Sequence, residues 1–331
     1  AEAIARCNDK LSCREFLAEQ GYKSVNYRRV SSPTEVAAAA EALGGQVVIK
    51  PRSATGSLGV KICRTPQEAA EWAGLLNAEG IDGLILESCV DGPQFSVSLF
   101  DGVPLNAARI HIADGPIPLI TGIDTPADVS ANERNAIFDY ARNIARSAGC
   151  TNGAVLVELR GANDHYHLVE INPRPGLNSP QTVSGATGID LCELCLKFAC
   201  GLPYSIENEI ASSQPQAAAL RHLIRDGQSI RRVVGIEGAK TTENVEEVIV
   251  FESRFGRAGP ASSSLDHIAT ILATGRTTAL AASSADAALR KIKIIPEGKV
   301  YRKLRRFRRR FARRYDRWKT KLSNIATERP Q

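Results

Sequence analysis

The sequence predicts an α+β protein built on antiparallel strands, on three observations. Strand-like runs at 154–159 and 166–172 flank the polar turn Gly161-Ala162-Asn163-Asp164, a hairpin signature. The apolar run Val47-Val48-Ile49-Lys50-Pro51 leads into a Gly- and Ser-rich loop, a short strand at 59–63 and a helix opened by Thr65-Pro66 with Glu68. Beyond residue 219 short strands alternate with a helix at 283–291. Hydrophobic content of 43% and charged content of 24% are those of an ordinary globular chain. No run of about 18 apolar residues exists to span a membrane. At 331 residues the chain can fill two domains or one large one.

Taken in order, residues 1–20 read as one lead-in helix, with Ile4, Leu11 and Phe16-Leu17 apolar and Gly21 as its stop. An Ala-rich helix at 35–43 follows, capped by Ser32 or Thr34, started by Pro33 and ended by Gly44-Gly45. Strands at 95–100 and 104–112 pair around Asp101-Gly102. Arg109 and His111 lie two apart and share a strand face, either looking into a substrate site or forming a satisfied surface pair. His165 and His167 read as a solvated strand face. Ser130 caps a helix at 133–148 whose Ile137, Tyr140, Ile144 and Ala148 form a core stripe. Residues 203–218, rich in Pro, Ser, Ala and Gln, read as a linker.

The chemistry converges on the 154–178 stretch. Strand alternation puts Val155, Val157 and Leu159 on one face and Leu156 and Glu158 on the other, while Glu170 and Asn172 share a face of the next strand. Glu158, Glu170 and Asn172 thereby gather three hard oxygen ligands, a half-site for Mg²⁺ (or Mn²⁺) completed by nucleotide phosphates. Arg174 adds a fork-shaped cation suited to a phosphate or an oxyanion. Upstream, Lys50 would meet phosphates from its strand. The loop after it, with Ser53, Thr55, Gly56, Ser57 and Gly59, can close backbone N–H groups around phosphate oxygens. No Gly-Lys-Ser/Thr ends this loop, so it is not a P-loop. Each segment alone also has a plain reading, a surface hairpin with solvated acids and a hairpin connection.

Together, the strand lysine, this loop, Ile85-Leu-Glu87-Ser-Cys-Val90 with Gln94, and Glu158 with Glu170-Ile-Asn172-Pro-Arg174 resemble the ATP-grasp superfamily. The resemblance covers about residues 4–200 in the family's order. Ala219-Leu-Arg-His-Leu223, Val234-Gly-Ile-Glu-Gly238 and Ile271-Leu-Ala-Thr-Gly275 are similar to the small C-terminal domain of the L-amino-acid ligase group. The resemblance implies the ATP-grasp fold, with an α+β lid at 21–85, an antiparallel-sheet core holding the metal site at 86–202, and a small C-terminal α+β domain at 219–299. It implies ATP and Mg²⁺ (or Mn²⁺) as cofactors. It also puts Lys10 beside Lys50 at the phosphates, the main chain of Glu87, Ser88 and Val90 at the adenine edge, and Gln94 at the ribose, where the family usually has Glu.

The implied activity is carboxylate–amine ligation through an acyl phosphate, with Arg174 as the catalytic cation and small-molecule carboxylate and amine substrates. Leu177, Asn178 and Ser179 depart from the Gly-rich turn of amino-acid ligases, so the acceptor's identity does not carry over. The same nucleotide motifs serve ligases acting on a carrier-protein thiol, a hydroxy acid or bicarbonate. They would also persist in a nucleotide-binding scaffold whose chemistry has lapsed, which Gln94 favours and the retention of both Glu and Arg174 opposes.

Eight cysteines without a paired framework predict reduced, buried thiols and a cytoplasmic setting. Cys192 and Cys195 have metal-like spacing, but the helical periodicity around them points to core packing. The sequence contains no Met, from which we expect that Ala1 is not the biological start and that a further α/β domain precedes it. From residue 300 onward, 13 Lys/Arg face Asp316 and Glu328, a net of +11 that leaves −5 for residues 1–299. Leu304, Phe307, Phe311, Tyr315, Trp318, Leu322 and Ile325 give this tail the pattern of a basic amphipathic helix. It fits an anionic membrane surface, which would make the protein peripheral, or a partner helix, or docking on its own body. The acidic body argues against nucleic acid as the main substrate, and a homo-oligomer is left open.

Overall fold

A computed structural model describes residues 2–22, 25–162, 165–255 and 259–298. Its centre is an eight-stranded antiparallel sheet, in the order Val245–Val250, His267–Gly275, Ala217–Ile224, Ile120–Thr125, Val103–Ile112, Gln94–Phe100, Ala154–Ala162, His165–Asn172. Alternation decides its two faces. Phe95, Val97, Val155, Val157 and Leu159 point to one side and bury against Ile137, Ala141, Ile144 and Ala145 of the helix Ala131–Ser147. Each large apolar side chain removed from water there contributes about 1.5–3 kcal/mol. Gln94, Ser96, Glu158 and Ile110 line cavities on the opposite side. The turn at Asp101 (φ 48°) and Gly102 (φ 76°) has the two positive φ values of a type I′ hairpin.

A second, four-stranded antiparallel sheet runs Tyr27–Val30, Leu84–Ser88, Val47–Pro51, Lys61–Cys63. Helices Pro33–Ala42 and Pro66–Ala78 cover it with Val36, Ala40, Ala69 and Ala73, all fully buried. Thr65 caps the second helix by accepting from Glu68 N–H at 3.2 Å. At the first, Ser32 occupies the cap position without a side-chain bond to the helix; its hydroxyl meets that of Thr34 instead.

Several expectations change. The lead-in helix is two helices, Glu2–Asn8 and Lys10–Glu19, because Asp9 stops the first and caps the second by accepting from the N–H groups of Leu11 and Ser12. Leu84–Ser88 is an interior strand of the small sheet. Residues 203–218 are not a linker but hold the helix Ile206–Ser212 and the start of Ala217–Ile224. That strand and His267–Gly275 continue the central sheet by pairing along Ile120–Thr125, so the C-terminal strands share the core's sheet. The last long helix begins at Thr278, capped by Thr277. All eight cysteines are free, yet Cys192 and Cys200 are exposed, and it is Leu191 and Leu194 that their helix buries. Among the described residues no helix is long and apolar enough to cross a membrane. The turn residues Asn163 and Asp164 and the tail at 300–331 lie outside the described residues.

Candidate active site

The hairpin register places Glu158 opposite Glu170 and Leu156 opposite Asn172, so the three oxygen-bearing residues share one patch of the sheet. Two carboxylates facing each other repel. Burial first, and then the Glu170 charge, push the Glu158 carboxyl up to about 8. Gln94 Nε2 donates to Glu158 Oε2 at 3.0 Å, and Asn172 Nδ2 donates to Glu170 Oε1 at 2.7 Å. Lys10 Nζ stands 3.5 Å from Glu170 Oε2 and donates to Ala54 O at 2.8 Å. Arg174 Nη2 donates to Asn172 Oδ1 at 3.1 Å while its guanidinium reaches the surface.

Those residues form a wall between two cavities. On one side, Lys10, Lys50, Gly56, Ser57, Ser88 and Gln94 line a cleft that also takes in Glu87, Val90, Glu158 and Glu170. On the other side a pocket of about 360 Å³ is lined by Thr55, Leu156, Asn172, Arg174 and Asn178, and again by Gly56, Glu158 and Glu170. Ser53 and Gly59 line neither. Ser53 is exposed, and Gly59 is buried where a Cβ would lie 2.8 Å from Pro51 Cγ, so its lack of a side chain serves packing. Arg109 and His111 point away from both cavities: Arg109 lies over the Phe95 ring, and His111 pairs with Asp124 at 2.7 Å.

Glu87 lines the cleft, and its side chain ties the cleft's cations together. It is buried between Arg14, whose Nε donates to Oε1 at 3.0 Å, and Lys50, whose Nζ donates to Oε2 at 2.6 Å. Burial alone would raise its pKa; the two cations overcome that and hold the carboxyl down at about 2. Lys50 is thereby fixed at the end of its strand. Arg14 was not singled out in the sequence, although it lies four residues after Lys10 and so on the same helix face.

His167, expected on a solvated strand face, lies elsewhere. A bulge lies between the pairs Glu158↔Glu170 and Leu159↔Leu168, and beyond it His167 pairs with Arg160. The extra residue moves an odd-numbered side chain onto the face of Glu170. His167 therefore lines the cleft, where its buried Nδ1 meets no hydrogen-bond partner among the described residues. Also missed was a stacked pair at the edge of the second pocket, His222 and His267, ring centroids 4.0 Å apart.

The phosphate loop is docked at its tip. Gly56 O accepts from Ser264 N–H at 3.0 Å and from Ser263 Oγ at 2.6 Å. Gly56 has φ +65°, and a Cβ there would sit 2.9 Å from Leu265 Cγ. The donor set of the wall, two carboxylates and an amide oxygen, is that of a hard divalent cation. The crowded pair, whose mutual repulsion helps keep a proton on Glu158, fits such an ion, which would favour the ionised form of both carboxyls. Among the described residues no group of three or more His, Cys, Asp or Glu could hold a metal. A cation at this wall would therefore take its remaining ligands from amide, water or phosphate oxygens.

A small α+β unit closing over an antiparallel sheet, with a carboxylate pair between two cavities, defines the ATP-grasp class of protein. A family model described as an ATP-grasp domain matches residues 7–177, and the chain belongs to that family. ATP and Mg²⁺ are the cofactors of ATP-grasp enzymes. The chain is 26% identical over 258 residues to the uncharacterized protein y4rH of Sinorhizobium fredii, covering 76% of this chain and 53% of that one. It is 28% identical over 202 residues to D-alanine–D-alanine ligase B of Xanthomonas campestris, covering 55% of this chain and 61% of that one. The chain thus spans just over half the length of these curated relatives. The crystal structure of an L-amino acid ligase from Bacillus licheniformis superposes with a TM-score of 0.76 at 20% identity, over 90% of this chain and 74% of that one.

Proposed function

We propose that this chain is an ATP-dependent carboxylate–amine ligase that forms an amide bond through an acyl phosphate and releases ADP and phosphate. The observation that carries the reading is the shared wall, in which Glu158, Glu170 and Gly56 line both the Lys10–Lys50 cleft and the Arg174–Asn178 pocket. A nucleotide in the first and a carboxylate in the second would meet across it.

A carboxylate is a poor electrophile because an attacking amine would have to expel oxide. In the first step a carboxylate oxygen attacks the γ-phosphorus and ADP departs. In the second the amine nitrogen attacks the acyl carbon, the bond from carbon to phosphate oxygen breaks, and the amine's proton is lost. Lys50 and Lys10 orient the phosphates from the cleft side. Glu158, Glu170 and Asn172 would hold Mg²⁺, which when bound neutralises phosphate charge. Arg174 faces the pocket, where a fixed cation stabilises the acyl phosphate and the tetrahedral oxyanion. The docked loop at Gly56 keeps water from the acyl phosphate. On its sequence alone, the basic seam at 300–331 is offered as a docking segment for an anionic membrane surface or a partner helix, a reading that fails if deleting it leaves liposome and partner binding unchanged.

The test is phosphate release from ATP and Mg²⁺ across a matrix of amino acids and amines. The expected result is release that needs two substrates and drops about 10³-fold in Glu170→Ala, the scale of losing one preorganised charge group. A folded, ATP-binding chain that releases no phosphate with any pair would sink the reading.

A further inference from the structure

Asn178 occupies the N-cap position of the helix Ser179–Thr187, where an Asn side chain ordinarily accepts from the helix's first N–H groups. It makes no such bond. Its Nδ2 is instead directed at His222 Nε2, 3.4 Å away, and only its main-chain carbonyl serves the helix, accepting from Thr182 N–H at 3.0 Å. His222 is buried, its Nδ1 lies 2.9 Å from Thr270 Oγ1, and it stacks on His267 with the rings 5° from parallel. His267 Nε2 lies 2.9 Å from Ile120 O, which can only accept, so that nitrogen carries a proton. An amide N–H can donate to His222 only if Nε2 is bare, which puts the imidazole proton on Nδ1 toward Thr270. Burial, the neighbouring His267 and Arg221 all disfavour a second proton on that ring.

In the observed orientation Nδ2 faces His222, and the ring's proton then sits on Nδ1 toward Thr270, whose hydroxyl can accept it. With Nδ2 committed to His222, Oδ1 is the free end of a side chain that lines the pocket beside Arg174. The lining also holds aliphatic side chains, Ile110, Ile120, Ile123, Leu156, Leu177 and Leu265. An acidic side chain entering here would meet Glu158 and Glu170.

We propose that Asn178 Oδ1, oriented by His222 as a positioning residue, accepts an N–H from the amino group of an apolar α-amino acid in this pocket. The carboxylate of that molecule faces Arg174, and its side chain lies on the aliphatic lining. The assignment rests on the ligase reading for the pocket's role as a substrate site, but it is tested by binding alone.

The experiment is calorimetric titration of the full chain with L-leucine, with 4-methylpentanoate, which has the same body without the amine, and with L-glutamate. L-leucine is expected to bind at least about tenfold more tightly than either other probe, the value of one hydrogen bond to a charged donor. In Asn178→Ala the preference for leucine over 4-methylpentanoate should fall about tenfold. His222→Phe should lose the same preference, with no further loss when combined with Asn178→Ala. His222→Gln, whose amide oxygen can accept from Asn178, should restore it. An unchanged preference in Asn178→Ala, glutamate binding as tight as leucine, or no leucine binding would each overturn the proposal. Phosphate release in the same mixtures separates the two readings. Leucine binding with the expected preferences but no ATP turnover sinks the ligase and leaves the pocket assignment standing; turnover that ignores Asn178 does the reverse.

Discussion

On the cleft side of the carboxylate wall, buried charge is tied to buried charge, Glu87 to Arg14 and Lys50, and the half-buried pair Asp9 and Arg52 stands nearby. On the pocket side much of the remaining lining is aliphatic, and two buried imidazoles, His267 at the lining and His222 stacked on it, are held neutral by their surroundings. The first arrangement suits a ligand that always carries the same phosphates. Fixed cations can be set in advance against a fixed anion and need no reorganisation when it arrives. The second suits discrimination among similar small molecules, by shape and by a few oriented hydrogen bonds. Either side can therefore change without dismantling the other, and among the described residues the two share Glu158 and Glu170 of the wall, Gly56 at the loop tip, Ser264 that holds it, and Ile120.

Breaking the charged side should cost most. Glu87→Gln leaves Arg14 and Lys50 buried without their counter-charge, and urea unfolding is expected to show a loss of about 3–5 kcal/mol. A loss below about 1 kcal/mol would mean that water or another group already compensates the pair.

The neutral side should be the more sensitive to acid. His222 and His267 have folded pKa values of about 3 and about 4, below the ordinary imidazole value of 6.5. Between 6.5 and about 4 the unfolded chain binds more protons than the folded one, so stability falls as the pH falls through that window. Arg221 beside His222 and Arg254 beside His267 deepen the effect, while Asp266 and the Ile120 carbonyl oppose it at His267. Each imidazole contributes about 1.4 kcal/mol per pH unit. Because the unfolded imidazole is only half protonated at pH 6.5, the slope is not yet full there, and wild type should lose roughly 2 kcal/mol between pH 6.5 and 5.5. His222→Gln should halve that slope, and an equal slope in the two proteins would place the acid sensitivity elsewhere.

The smallest effect lies where the two sides touch. Gly56→Ala must adopt a positive φ and press on Leu265, a cost of about 1–2 kcal/mol, read as roughly a 5- to 30-fold rise in KM for ATP. Adding Leu265→Ala removes the contact but not the backbone cost, so it should restore only part of the affinity. Full recovery would show that the side-chain contact was the whole effect.

Features set by local periodicity were legible in the sequence. The alternation of residues 154–159 and 166–172 was enough to bring Glu158, Glu170 and Asn172 together, and Asp101-Gly102 was enough to mark its hairpin. The illegible features depend on partners distant in the chain or on a break in period. Nothing local in Ala217–Ile224 says that it will pair along Ile120–Thr125. His167 reaches the cleft only through a bulge, which reverses the parity that sequence reading assumes. Asp9 was read as part of a continuous helix because a capping Asp and a solvated one look alike until the chain is seen to turn, and Arg14 went unnoticed with it. Gly59 looked like part of a phosphate loop because glycine's two uses, close approach to a ligand and close packing against Pro51, leave the same letter.

The seal between Gly56 and the Ser263–Ser264 turn sets a clock as well as a boundary. Two neutral hydrogen bonds hold it, together worth about 2 kcal/mol net, so the cleft would stand open roughly 3% of the time. That fraction excludes solvent for most of each cycle yet lets spent nucleotide escape without large-scale rearrangement. In the proposed ligase, release of the loop by that turn would be a step that solvent viscosity slows.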